Sequence, residues 1–176
     1  MGSLSAYVRL VRENRNFRRL WFAQIVSELG DWFYALAVYS LILELTGSAR
    51  LVGLAVLVQV LPQTLAAPTA GVVNDRVSRK RVMIAADLAR VAIVLCMMLV
   101  RTREMVWLIY PLLFCETLGW AFFEPGHTAA IPSIVGRDDT ILANTLSSAT
   151  WSFNLAVGSA LGETWLASRL SPILDA

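Results

Sequence analysis

Several ionisable side chains stand inside long apolar stretches of this 176-residue chain. Glu28 and Asp31 fall in a run near 20–45, Asp87 and Arg90 in one near 82–100, and Glu116 in one near 105–123. A charge deep in hydrocarbon is costly, so such groups face a bundle interior or a water-filled cavity and mark paths for substrates or ions. Gln24, Glu28 and Asp31 are spaced four and three apart, which puts them on one face of a helix. At 1.5 Å per residue, Asp31 lies about 16 Å from the inner end of its run and Glu116 about 16 Å from the outer end of its own. Asn154, in a run near 141–166, has a similar depth. We expect Glu28, Asp31, Glu116 and Asn154 to line a central cavity that binds a cationic substrate group or takes up protons. Trp32 stands beside Asp31, placed to stack on a substrate. The plainer alternative is a set of protonated acids in interhelical hydrogen bonds. Asp87 and Arg90 are three apart near the inner end of their run, and their spacing predicts an intramembrane ion pair with each other.

Composition and block length are those of a membrane protein. The chain is 57% hydrophobic and 16% charged, with a mean hydropathy of +0.61. Soluble domains run about 45–50% apolar and about 25% charged. The apolar residues fall into five blocks, near 20–45, 51–73, 82–100, 105–123 and 141–166. About 20 residues cross a bilayer core as a helix, and the lipid leaves the backbone no other partner than itself. The expected fold is therefore an all-α, polytopic bundle. Its parts are an N-terminal arm (1–19), a five-helix transmembrane region (20–166) and a segment 167–176 that is an outer tail or the start of a sixth helix. Residues 124–140 read as one longer inner loop holding His127. Cys96 and Cys115 read as buried apolar residues rather than a disulfide or metal site. A net charge of +2 argues against nucleic acid. No nucleophile elbow, phosphate loop or metal-ligand spacing is present, so no enzyme activity, metal or cofactor is expected.

The stretch Gly71-Val-Val-Asn-Asp-Arg-Val-Ser-Arg-Lys-Arg-Val82 joins two of these blocks through a short basic turn. Its spacing resembles the signature loop between helices 2 and 3 of major facilitator superfamily transporters, matched by Gly71, Asp75, Arg76, Arg79 and Lys80, with Arg81 following. Ser78 stands where that family usually has Gly, which turns with positive φ at less cost. Asn16-Phe-Arg-Arg-Leu-Trp-Phe-Ala-Gln24, Leu29-Gly-Asp31, Ala85-Ala-Asp-Leu-Ala-Arg90 and Ala130-Ile-Pro132 extend the resemblance to the macrolide-efflux-like and enterobactin-exporter-like branch. Two departures stand out. Gly158-Ser-Ala-Leu-Gly162 replaces the usual Gly-Pro pattern of exporters, and nothing basic stands near Cys115 and Gly119 in the fourth run.

The resemblance implies gradient-driven export of a small organic molecule such as a drug, macrolide or siderophore. It also implies that Asp75 and the loop arginines latch the two halves of the transporter at the cytoplasmic side. A half-unit in this superfamily has six spans. The chain thus reads as most of an N-terminal half, expected not to transport alone and needing a C-terminal half or a second copy. The competing expectation is a non-transporting membrane subunit, for which a parallel homodimer is one form.

Orientation follows from charge. Arg9, Arg12, Arg15, Arg18, Arg19, Arg76, Arg79, Lys80, Arg81 and Arg137 flank one side of the membrane, against Arg50, Arg101, Arg103 and Arg169 on the other. Basic residues accumulate in cytoplasmic loops, so the N-terminus is expected inside the plasma (inner) membrane. With Cys96 and Cys115 replaced, an impermeant thiol reagent on intact cells should label Arg103→Cys and spare Ser78→Cys. The reverse pattern would invert the topology.

Overall fold

The computed structural model describes residues 4–174, apart from the side chains at 67, 163 and 165–174. Among these residues the chain is all-α: α1 (Leu4–Glu13), α2 (Arg15–Thr46), α3 (Ala49–Arg76), α4 (Arg79–Met97), a 3-10 segment (Arg103–Leu108), α5 (Ile109–Val135) and α6 (Thr140–Leu174). Three segments combine the length and apolarity needed to cross a membrane: Arg15–Thr46, Ala49–Ala66 and Arg103–Val135. The helices α4 and α6 have span length, 19 and 35 residues. However, α4 carries Arg79, Lys80, Arg81, Asp87 and Arg90, and α6 is rich in Ser and Thr.

Turn chemistry sets the helix ends. Asn14 caps α2, its Oδ1 accepting from Phe17 N–H at 2.9 Å. Gly47 and Gly136 end α2 and α5 with φ of 65° and 79°, in the left-handed region where a Cβ is penalised. Each donates its N–H back into the helix it ends, to Leu43 and Pro132.

Two boundaries differ from the sequence expectation. The loop expected at 124–140 is helical through Val135, so His127 is a buried helical residue stacked on Phe123, ring centroids 5.9 Å apart. Proline removes a single N–H per site, and the apolar stretch around Ala129, Ala130 and Ile131 continues the helix until Gly136 supplies the stop. The fifth run, expected to end at 166, continues as one helix to Leu174. Trp165 and Arg169 lie outside the residues whose side chains are described, as does the end of the 167–176 segment. A third difference concerns the thiols. Cys96 and Cys115 are free and exposed on their helices, not buried. Lipid tails are as apolar as a core, so a membrane helix can turn such side chains outward. Leu88, Val91, Leu95 and Leu99 are exposed along and just beyond α4 for the same reason.

The helices divide into two compact units, residues up to 37 with those from 131 onward, and residues 38–130. In the first, the arm is built into the protein rather than lying free. Leu10 and Phe17 are buried with Ile131 and Ala143, and Trp21, Ile134 and Leu146 pack around them. Asn14 Nδ2 donates to Ile134 O at 3.0 Å, and Arg9 pairs with Asp139 at 3.0 Å. Arg18 donates to the carbonyls of Val11 and Arg12 at the end of α1. In the second unit Ile42, Ala55, Ala70, Val106, Ile109 and Leu113 are buried. There Tyr39 Oη bonds Gln59 at 3.1 Å and Tyr110 Oη donates to Leu51 O at 3.1 Å.

Apolar burial, not the ion pair, should hold the arm. Emptying a buried Phe site costs ~3–5 kcal/mol, whereas an exposed pair such as Arg9–Asp139 is worth at most ~1 kcal/mol. Phe17→Ala should therefore make α1 markedly more susceptible to limited proteolysis in detergent, while Asp139→Asn changes it little. Equal susceptibility of the two variants would mean that the arm is held by its charges.

Candidate functional site

In the first unit the polar stripe of α2 meets α6. The Glu28 carboxylate accepts from two neutral amides: Gln24 Nε2 on Oε1 at 2.7 Å and Asn154 Nδ2 on Oε2 at 2.6 Å. Gln24 Nε2 also reaches Ser147 O at 3.3 Å, and one turn below Trp21 Nε1 donates to Thr150 Oγ1 at 2.9 Å. Asn154 and Ser147 are buried. Gln24 Oε1 is buried without a hydrogen-bond partner among the described residues. Of the residues expected in a cavity, Glu28 and Asn154 are thus in direct contact. Asp31 is half-buried on α2.

Trp32 has a specific seat. A Cβ on Gly158 would collide with the Trp32 ring, so the ring rests on bare α6 backbone. At Gly162 the neighbour is Leu36 Cδ2, 3.4 Å from where a Cβ would sit. The small-residue pair receives Trp32 and Leu36, spaced four apart like the glycines themselves, so each knob meets its own gap. The glycine spacing alone signals close packing but not which side chains fill it.

In the second unit the charges are arranged across helices. Arg90 Nε and Nη2 both lie 2.7 Å from Glu116 Oε1, with side-chain exposures of 13% and 10%. The expected ion pair was Asp87–Arg90 within one helix. Asp87 is exposed and interacts Coulombically with Arg90, and Arg90 in addition hydrogen-bonds Glu116 on α5. Glu116 accordingly contacts a guanidinium rather than standing alone in a cavity. Gly119, three residues on, makes room: a Cβ there would meet Arg90 Cγ at 2.9 Å. The fourth run itself carries no basic residue, as expected, and the basic group beside Gly119 comes from the neighbouring helix. A Gly one turn from a Glu was the available signal.

The signature loop is built from helix ends. Gly71, Asp75 and Arg76 complete α3, Val77 and Ser78 form the link, and Arg79, Lys80 and Arg81 open α4. Ser78 has φ −55°, so the turn needs no positive φ and Ser replaces Gly without backbone strain. Arg79 Nη1 donates to Ala129 O at 3.0 Å. Asn74, which the motif spacing does not single out, is buried inside it. Its Nδ2 donates to Ala70 O at 3.0 Å and to Phe122 O at 2.9 Å, fastening α3 to α5. Gly126 allows this approach, since a Cβ there would sit 2.7 Å from Asn74 Oδ1.

Comparison with known proteins gives the family. The family described as transmembrane secretion effector, a branch of the major facilitator superfamily, matches residues 6–172. The chain belongs to that family. It is 30% identical to macrolide efflux protein A of Streptococcus pyogenes over 155 residues, 85% of this chain and 38% of that protein. It is 27% identical to the uncharacterised MFS-type transporter YfiS of Bacillus subtilis over 160 residues, 90% of this chain and 38% of the relative. Identity to YvqJ of Bacillus subtilis is 31% over 137 residues, 75% and 32% of the two chains. The chain thus spans less than two-fifths of the length of these relatives. No solved structure matches it significantly. This major facilitator chain is a multi-pass membrane protein of a transporter family.

Within it, the Arg90–Glu116 pair should behave as a buried ion pair. Removing one partner strands a charge and costs ~3–5 kcal/mol, while replacing both by apolar side chains is often neutral. Arg90→Leu and Glu116→Leu should each lower the thermal stability of the detergent-purified protein, and the double Leu variant should recover most of the loss. Additive losses in the double variant would count against the pair.

Proposed function

We propose that this chain forms part of an exporter of small organic molecules, with Glu28 as the carboxylate that exchanges a proton or a cationic substrate group. The observation that carries this reading is the setting of Glu28. Its carboxylate is held by two neutral amides, Gln24 and Asn154, and by no cation among the described residues, in a helix with the length and apolarity of a membrane span. Amide donors fix the position of a carboxylate yet leave its charge to be balanced by something that arrives and departs. Glu116, by contrast, already has a guanidinium and suits a structural role.

In this reading the first unit contributes one wall of a midplane site, and the remaining helices come from further chain or a second copy. Transport in such folds proceeds by rocking one half against the other around a central site. Asp31 and Trp32 lie next to Glu28 along α2, Asp31 as a second acid and Trp32 as the ring that fixes α2 against α6. The basic loop from Arg76 to Arg81 faces the cytoplasm at the plasma membrane, where Asp75 serves the latch between halves. A macrolide is a reasonable first substrate class, given the relative named for macrolide efflux.

The test is macrolide efflux from cells expressing the complete transporter at matched levels. Glu28→Gln keeps the shape and one hydrogen-bond acceptor but cannot change charge. It should remove most of the efflux and flatten its dependence on external pH, while Val38→Leu does neither. Efflux with an unaltered pH profile in the Gln variant would reduce Glu28 to a packing residue.

A further inference from the structure

The second unit carries an apolar groove of about 580 Å³ along α4, open to the surface and walled by α3 and α5. Its floor is made of small side chains, Ala85, Ala86 and Ala89 on α4 and Gly119 on α5, with Phe122 and Ile93 as larger walls. Arg81, in the first turn of α4, also lines it. Its side chain is exposed and makes no hydrogen bond among the described residues, whereas Arg79, two positions earlier, is spent on Ala129 O.

We propose that this groove binds an anionic phospholipid, one acyl chain lying along Ala85, Ala89 and Ile93 and the phosphate on Arg81. Length is the first argument. From Arg81 to Ile93 a helix rises about 18 Å, slightly more than half of the ~30 Å hydrocarbon core. The groove therefore matches one leaflet. A spanning helix from another protein would need an apolar track along the whole core. Charge is the second argument: a cation stands at the end where α4 begins, and Lys80 beside it is exposed as well. Basic side chains just outside a span attract anionic headgroups. The small residues supply the third, since Ala85 and Ala89 line the groove along α4 with side chains too short to fill it. The proposal needs only the membrane location of the chain and is independent of any transport activity.

The full chain, purified in detergent, is offered equal amounts of phosphatidylglycerol and phosphatidylcholine with identical acyl chains, and retained lipid is read by native mass spectrometry. Phosphatidylglycerol should be retained in preference. Arg81→Gln should weaken that preference about fivefold, the factor one basic side chain contributes at an anionic headgroup, and Arg103→Gln should leave it unchanged. Ala89→Phe, which fills the track, should reduce retention of both lipids. Independently of any variant, phosphatidylglycerol with a photoactivatable acyl chain should crosslink to peptides spanning residues 85–93 or 115–122. Equal retention of the two lipids, equal losses in Arg81→Gln and Arg103→Gln, or crosslinks confined to other helices would each overturn the proposal. A change from dimer to monomer in Ala89→Phe with lipid retention intact would assign the groove to a second copy instead.

Discussion

A charge placed in hydrocarbon must bring its own partner, and in this chain that requirement couples α4 to α5. Arg90 and Glu116 sit on different helices, both nearly buried, and satisfy each other at 2.7 Å. The contact forces the helices close enough for the aliphatic stem of Arg90 to run over Gly119, where any side chain would collide. Such a pair adds little net stability over an apolar isostere but penalises every alternative register, because any slip would strand both charges. The buried Asn74 acts in the same way between α3 and α5. Its amide binds two backbone carbonyls and needs the bare backbone of Gly126 to come near.

The first unit solves a similar problem with neutral groups. Glu28 accepts from two amides and Trp32 lies on glycine, so α2 and α6 are held by neutral hydrogen bonds and by side chains seated on Gly158 and Gly162. The difference in chemistry separates two acids that look alike in sequence. The Glu116 carboxylate contacts a guanidinium, while that of Glu28 contacts two neutral amides. The division of labour between Glu116 and Glu28 in the proposed exporter rests on that contrast.

The signature loop illustrates how little backbone a tight turn needs. Two residues link α3 to α4, neither with positive φ, so the glycine common in the family is dispensable here. The three basic residues that open α4 then have separate settings: Arg79 reaches α5, while Lys80 and Arg81 remain exposed, and Arg81 lines the apolar groove.

Composition and block length by themselves determined that the chain is an all-α membrane protein, because lipid permits a backbone few other choices. Residue order in the loop was enough to suggest the family, and the three- and four-residue spacings on α2 put Gln24, Glu28 and Asp31 on one face. Those are local properties, readable from a single helix. Partners across helices are not. Spacing points Arg90 to its near neighbour Asp87, with which it does interact, but the facing Glu116 on another helix is not visible in the sequence. The basic group beside Gly119 is hidden for the same reason. Residues 124–140 read as a loop, yet α5 runs through Val135 and ends only where Gly136 takes a positive φ. Trp32 on Gly158, Asn74 on Phe122 O and Arg90 on Glu116 were decided only when helices far apart in sequence were packed, and packing is a property of pairs of surfaces that no single stretch encodes.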